Sequence, residues 1–221
     1  GEPALSAARR VGGEGSVIAS DLVPEMLATA RRRAHEAGLA NVSFEIADME
    51  RLPFPDERFD RLTCRFGIMF APEPRRVLEQ SLRVLAPGGR AGFMAWGPIE
   101  ETTMFRVIRD AERAVFGGEA DLDTPFRFAR PGELGEAMTA AGFVAVDERE
   151  LRFESRVAAE RPFWHAMRDM SLGPHLARAD ERRREALERA LDQGFAACRD
   201  GESYRLAALV RLAAGGRPHR R

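Results

Sequence analysis

The chain has 221 residues, 44% of them hydrophobic and 31% charged, which suits one large domain with a substantial core. A formal net charge of −1 provides no field to attract nucleic acid or an anionic membrane surface, so neither is expected as a partner. All 34 basic residues are arginine; their runs at Arg31-Arg32-Arg33 and Arg182-Arg183-Arg184 alternate with acids along helical patterns and read as solvated faces. Cys64 and Cys198 stand at unrelated positions, so the sequence predicts no disulfide framework and no metal site, and a reducing, cytoplasmic setting is expected. No stretch reads as a membrane span or a signal peptide. The first residue is Gly, not Met, so the chain reads as processed, trimmed or fragmentary.

In chain order, Pro3–Val11 reads as a helix stopped by Gly12-Gly13-Glu14-Gly15. Val17-Ile18-Ala19-Ser20 is a short apolar run that fits a buried strand, and Asp21 falls where it would emerge. Pro24–Ala37 follows as a helix with Met26, Leu27, Ala30 and Ala34 on one side and Gly38 at its end. Val42–Ile46 alternates as a strand, and Ala47–Phe54 is the loop leaving it. Phe59–Cys64 is the next strand, Pro74–Leu85 a helix stopped by Pro87-Gly88-Gly89, and Arg90–Trp96 another strand. This alternation predicts βαβ units and a parallel sheet covered by helices on both faces.

From Gly97 the rhythm changes. Helices are expected at Thr102–Phe116, Pro131–Ala141, Ala158–Leu172 and Arg178–Arg199, and strands at Phe143–Leu151 and Tyr204–Leu212, with a frayed tail over Gly215–Arg221. Residues 1–97 read as the cofactor-binding part of an N-terminally incomplete domain, and residues 98–221 as the remainder of that domain with its lid or substrate helices and final strands.

The chemistry-bearing residues gather at one sheet edge. In open α/β sheets nucleotide-like ligands bind outside the carboxyl ends of the strands. A carboxylate at Asp21 can accept both hydroxyl protons of a ribose, and Gly1 lies about 20 residues upstream, the separation expected of a glycine-rich turn. The plainer role for Asp21 is a helix N-cap. Asp48 follows the next strand directly and shares the edge; its plainer role is a turn residue. Two carboxylates on one edge suit a ligand rich in donors and carrying positive charge.

Val17–Leu27, Ala47–Phe54, Phe59–Gly67, Arg83–Arg90 and Pro131–Phe143 together resemble the successive motifs of class I S-adenosylmethionine-dependent methyltransferases. The resemblance is to the small-molecule branch that includes ubiquinone/menaquinone-type C-methyltransferases. It implies a Rossmann-like, doubly wound, mostly parallel sheet with an antiparallel last strand, helices on both faces and helical lid insertions. It also implies S-adenosyl-L-methionine as cofactor and a small-molecule acceptor; a homodimer is left open. Under it Asp21 binds the ribose hydroxyls, Leu22 packs on the adenine, Asp48 accepts the adenine amino proton and the Met49 backbone N–H meets a ring nitrogen. Cys64, Arg65 and Phe66 border the methionine end, and Gly1 is what remains of the glycine-rich turn.

Methyl transfer by in-line displacement asks the protein mainly for proximity and alignment. A base is required only if the acceptor must lose a proton, and His165 is the sole candidate, with a structural histidine as its plainer role. Met104, Phe105, Ile108, Phe126, Phe128, Phe163, Trp164 and Met167 fit an apolar acceptor pocket, or simply helix packing. An NAD(P)-dependent oxidoreductase shares the ribose carboxylate but leaves Asp48 unexplained, and the chain has one Tyr and no Lys for a Tyr-x-x-x-Lys pair. A non-catalytic Rossmann-like binding protein is the other alternative.

The family's first strand and most of its glycine-rich turn are expected before Gly1. Its place is between the Val17 and Phe59 strands, so either a gap of about 9.6 Å separates those two strands or they close up and pair. On this reading residues 1–221 alone bind the cofactor weakly, and the upstream segment restores binding.

Overall fold

The computed structural model describes residues 1–158 and 162–220. The chain divides into two compact units, one from Gly1–Met94, Leu134–Glu148 and Ala213–Arg221, the other from Ala95–Glu133 and Arg149–Leu212. Among the described residues no helix is long and apolar enough to cross a membrane.

The first unit opens with helix α1 (Ala4–Val11), which buries Leu5 and Ala8. Strand β1 (Val17–Asp21) follows, then helix α2 (Pro24–Glu36), with Pro at its first turn and Leu27, Ala30 and Ala34 buried. Strand β2 (Val42–Ile46) pairs in parallel with β1, from Val17 opposite Val42 to Asp21 opposite Ile46. The Asn41 amide donates to the carbonyls of Ala8 (2.9 Å) and Gly12 (2.7 Å), tying the end of α1 to the start of β2. Strand β3 (Phe59–Arg65), helix α3 (Pro74–Val84) and strand β4 (Leu85–Trp96) form a βαβ unit in which β3 and β4 are parallel.

Helix α5 (Glu133–Ala140) and strand β5 (Val144–Ala158) come later, and strand β7 (Ser203–Gly216) ends the ordered architecture. Strand order is β1-β2 in one sheet and β3-β4-β7-β5 in the other. The strands at Val17 and Phe59 therefore belong to different sheets, and direct closure between them does not occur.

Pro87-Gly88-Gly89 does not stop α3. The helix ends earlier, at Val84, and the three residues lie inside β4. Gly88 takes φ +78° there, and its N–H donates to the Arg217 carbonyl at 3.1 Å. A glycine that would end a helix here serves as an irregularity within a paired strand.

The tail is likewise not frayed at Gly215. Gly215 and Gly216 are buried in β7, and the Arg217 guanidinium donates to the carbonyls of Leu82 (3.3 Å), Arg83 (2.9 Å) and Leu85 (2.5 Å). Those carbonyls lie at the C-terminal end of α3, where intrahelical partners run out and a cation is favoured. Arg217 also meets Glu57 at 3.1 Å, and Arg220 joins the same carboxylate. The hydrogen bond from Arg220, and then the charges of Arg220 and Arg217, hold the Glu57 carboxyl below its usual range. A lowered carboxylate stabilises the fold above the ordinary value of 4.5 and loses that contribution as the pH falls through the folded value. Arg217→Ala is expected to cost about 2–3 kcal/mol in urea unfolding, by orphaning partly buried carbonyls, and to flatten the decline of stability below that pH.

The second unit is built around helix α4 (Thr103–Phe116) and helix α7 (Glu181–Ala196). Val107, Ile108 and Ala111 of α4 are buried in one cluster with Leu187, Leu191 and Phe195 of α7, together with Leu122, Trp164, Leu172 and Leu206. Asp180 caps α7 by accepting from the Arg183 N–H at 2.8 Å. The helix expected at Ala158–Leu172 is instead α6 (His165–Arg178), because β5 runs on to Ala158. Ala159, at the start of the expected helix, lies outside the described residues. Pro174 falls inside α6 and does not end it: Leu172 before it is buried and Leu176 beyond it packs on the same core. A two-residue strand β6 (Arg199–Asp200) pairs antiparallel with the start of β7.

The residues expected to line an acceptor pocket are engaged in this core. Ile108 and Trp164 belong to the buried cluster, and Met104, Phe163 and Met167 pack against it. Phe105 makes edge contacts with Trp96 (5.4 Å) and Phe126 (5.3 Å), and Phe128 is buried. An amphipathic stripe serves helix packing first, and here that accounts for it.

Candidate functional site

The site residues of the first unit converge at the carboxyl ends of β1, β2 and β3. Parallel pairing puts the ends of β1 and β2 on one edge, with Ile46 beside Asp21 in register. The Ala47 N–H donates to the Asp21 carbonyl at 3.1 Å, so pairing persists to the last residue of β1. Asp21 is half-buried, and its Oδ1 accepts from the Val23 N–H at 3.0 Å. Asp48 is exposed, and its Oδ1 accepts from the Glu50 N–H at 2.8 Å. Both aspartates thus make the same turn, a carboxylate taking the amide two residues on. In each, Oδ2 carries no hydrogen bond to a described residue. Helix α2 has Val23 at its N-cap, with no side-chain cap bond, so Asp21 shapes the turn ahead of the helix instead of capping it.

Apolar side chains stand exposed at the same edge: Leu22, Val23, Met26 and Ile46. An apolar group left in water next to two carboxylates is the composition of a ligand surface. A cleft of about 450 Å³ opens beside Asp48, lined by Glu50, Arg51, Arg76, Glu79 and Gln80. Its charged lining does not suit an apolar guest.

The end of β3 joins this edge through Gly67. A Cβ built on Gly67 would lie 2.9 Å from Cys64 Sγ and 3.4 Å from Met49 Cε. Glycine is therefore required where Met49, from the loop after β2, meets Cys64 of β3. Phe66, just before it, holds φ +54°, a conformation that costs a non-glycine residue energy and is found at functional turns. The Phe66 N–H donates to the Met94 carbonyl at 2.9 Å, which carries the β3–β4 pairing through that turn.

Burial pushes the Cys64 thiol up, against opposing hydrogen bonds from the Ile68 and Gly67 backbone. Cys64 is a packing residue and not an activated nucleophile. Alkylation of Cys64 by iodoacetamide at pH 8, followed by peptide mapping, is expected to be slow in the native protein and rapid in urea; fast native labelling of Cys64 would contradict the raised thiol.

Arg65 stands exposed at the end of β3, its guanidinium carbon 5.7 Å from the Phe66 ring centroid. Glu2 is held below the usual carboxylate range by hydrogen bonds from Ser6 and by the charges of Arg9 and Arg65. The start of α1 therefore lies within electrostatic reach of the end of β3. Gly1 accepts a hydrogen bond from the Leu5 N–H at 3.1 Å, and a Cβ there would meet Leu5 Cδ1 at 2.9 Å. Gly1, Asp21, Leu22, Asp48, Met49, Cys64, Arg65 and Phe66 all lie in the first unit.

His165 lies in the second unit, partly exposed, with Nε2 3.1 Å from Glu188 Oε2. Glu188 also pairs with Arg168. This ion-paired cluster bridges α6 and α7, as a structural histidine would.

Residues 1–89 match the family model described as a methyltransferase domain. Its edge carboxylates, Asp21 and Asp48, fall inside that span. Over these residues the chain is similar to a methyltransferase domain. Over 163 residues the chain is 31% identical to a ubiquinone/menaquinone biosynthesis C-methyltransferase of Methylobacterium nodulans, a match covering 68% of this chain and 65% of that protein. It is 37% identical over 81 residues to an uncharacterized protein of Mycobacterium tuberculosis, covering 37% of this chain and 29% of the relative. The chain thus spans less than two thirds of these relatives' length. The fold is similar to that of phosphoethanolamine N-methyltransferase 2 of Haemonchus contortus, solved with S-adenosylhomocysteine, at a TM-score of 0.55 and 17% identity over 96% of this chain and 46% of that one. The methyltransferase domain therefore has the expected Rossmann-like α/β fold.

Proposed function

We propose that the protein transfers a methyl group from S-adenosylmethionine to a small acceptor. The observation that carries this reading is the pairing of Asp21 and Asp48 on one edge, each with a carboxylate oxygen left for a ligand. The residues present fit the group. An adenosyl sulfonium is cationic, rich in hydroxyl and amino donors, and has a flat apolar base; the edge offers two carboxylates and exposed Leu22 and Ile46. Asp21 binds the ribose hydroxyls, Leu22 packs on the base, Asp48 accepts its amino proton and the Met49 backbone N–H meets a ring nitrogen. Cys64, Arg65 and Phe66 border the amino-acid end, with the Gly1 backbone nearby.

When bound, the cofactor supplies an electrophilic methyl carbon on sulfur. The protein's part is to hold the acceptor in line behind that carbon, which is worth several kcal/mol through orientation alone. A small acceptor, apolar or aromatic in part, is supported by the resemblance to quinone C-methyltransferases. His165 serves as base only for an acceptor that must lose a proton; a His165→Gln variant with unchanged pH dependence of turnover would remove it from the reaction.

Calorimetric titration with S-adenosylhomocysteine and with NAD separates the readings. Methyl transfer requires heat of binding for the first and none for the second. Binding of NAD alone supports the oxidoreductase, which does not explain Asp48; binding of neither supports a scaffold.

A further inference from the structure

We infer that the outer edge of β5 is a self-association surface, on which a second copy of this chain adds its own β5 antiparallel. Strand β5 has 15 residues, beyond the usual ~3–10, and stands last in the order β3-β4-β7-β5. Every residue from 149 to 156 is exposed, including Leu151 and Phe153. A long open edge is a template for another strand unless something blunts it. Here the candidate blunting device is charge: Glu150, Arg152, Glu154 and Arg156 alternate in sign on one face of the strand.

Two identical strands can pair antiparallel only about a two-fold axis normal to the sheet, which keeps matching positions on the same face. The register then reduces to which residue faces its own copy. With Phe153 on the axis, Arg152 opposes Glu154 and Glu150 opposes Arg156, each twice by symmetry, and no like charges meet. With Arg152 on the axis it faces itself and Glu150 faces Glu154; with Glu154 on the axis it faces itself and Arg152 faces Arg156. With Leu151 on the axis, Glu148 faces Glu154. With Ser155 on the axis only Glu154 and Arg156 oppose each other, and Arg152 is left facing Ala158; like charges directly opposite destabilise a pair and opposite charges stabilise it, so the Phe153 register, with both opposite pairs made, is the favoured one.

Within one chain each of these charges is already held from the inner side. Glu150 pairs with Arg211 (2.7 Å), Glu154 with Arg205 (3.6 Å) and Arg156 with Asp200 (3.2 Å), and Arg152 pairs with Glu101 and Glu150. The side chains are thus arrayed along the edge before a partner arrives, and a second strand extends the ladder outward. The inference is independent of the methyl-transfer reading, since no cofactor residue enters it.

Sedimentation equilibrium of the whole chain tests it, with folding of each variant checked by circular dichroism. The wild type is expected to dimerise below about 100 μM, and R152E and E154R each to weaken the dimer roughly tenfold or more, by placing like charges across the axis. The double variant R152E/E154R restores opposite charges and is expected to regain the dimer. F153C adds a measurement that does not depend on charge. Its thiols meet at a Cα separation of ~4.5–5.5 Å across an antiparallel pair, within disulfide reach, whereas S155C thiols stand about 13 Å apart along the strands. Cross-linking of F153C but not S155C is expected. A wild type that stays monomeric overturns the inference and leaves the edge to a different strand; so do single charge reversals that leave the dimer intact, or a double variant that fails to recover it while F153C does not cross-link.

Discussion

Asp21→Ala is expected to weaken S-adenosylhomocysteine binding by roughly one to two orders of magnitude, with little change in stability. A carboxylate that takes two hydroxyl protons in a half-buried site is worth about 2–3 kcal/mol, which converts to that range of affinity. Among the described residues, the Asp21 carboxylate accepts one hydrogen bond, from the Val23 N–H, and the exposed turn can satisfy that amide with water. Asp21→Asn is the sharper variant. It keeps an oxygen for Val23 but loses the second acceptor, so it should weaken the ligand nearly as much while leaving the unfolding midpoint in place. Unchanged calorimetric affinity in both variants would remove Asp21 from the site.

The second large effect is structural. Phe195→Ala is expected to destabilise the protein by about 3–5 kcal/mol, the usual cost of removing a fully buried aromatic ring. Phe195 has no exposed surface, stacks on Trp164 at 4.6 Å and meets the edge of Phe163 at 5.1 Å. Its loss leaves a cavity between α7 and the aromatic residues that precede α6, which rigid neighbours cannot fill. The readout is the urea midpoint at constant slope. A loss below about 1 kcal/mol would mean that α7 does not pack as described.

What the sequence discloses and what it conceals divide along physical lines. The short apolar run Val17–Ser20 and the period-two alternation at Val42–Ile46 each mark a strand, so the strands and the carboxylates at their ends are legible. Asp21 and Asp48 could be placed on one edge because parallel strands share a direction. Gly67 carries no local signal that marks it as a site residue. Its requirement comes from Cys64 of β3 and Met49 of the loop after β2 both closing on it, a meeting of distant segments that no local pattern encodes. Arg217 was hidden for the same reason. A lone arginine after Gly215-Gly216 reads as a frayed end, while its partners stand at Glu57 and at Leu82–Leu85, far back in the chain. The stripe of Met104, Ile108, Phe163 and Met167 was visible, but periodicity tells only that a face is apolar, not what covers it. Here α7 supplies part of the answer.

The proposed function puts the cofactor on the edge formed by the ends of β1, β2 and β3. Amide hydrogen exchange with and without saturating S-adenosylhomocysteine tests this most directly, because it maps contact by residue without turnover. Slowed exchange is expected at residues 22–26, 47–50 and 66–68, and none of this protection with NAD. Protection confined to α4, α6 and α7, or the same protection from NAD, would contradict it.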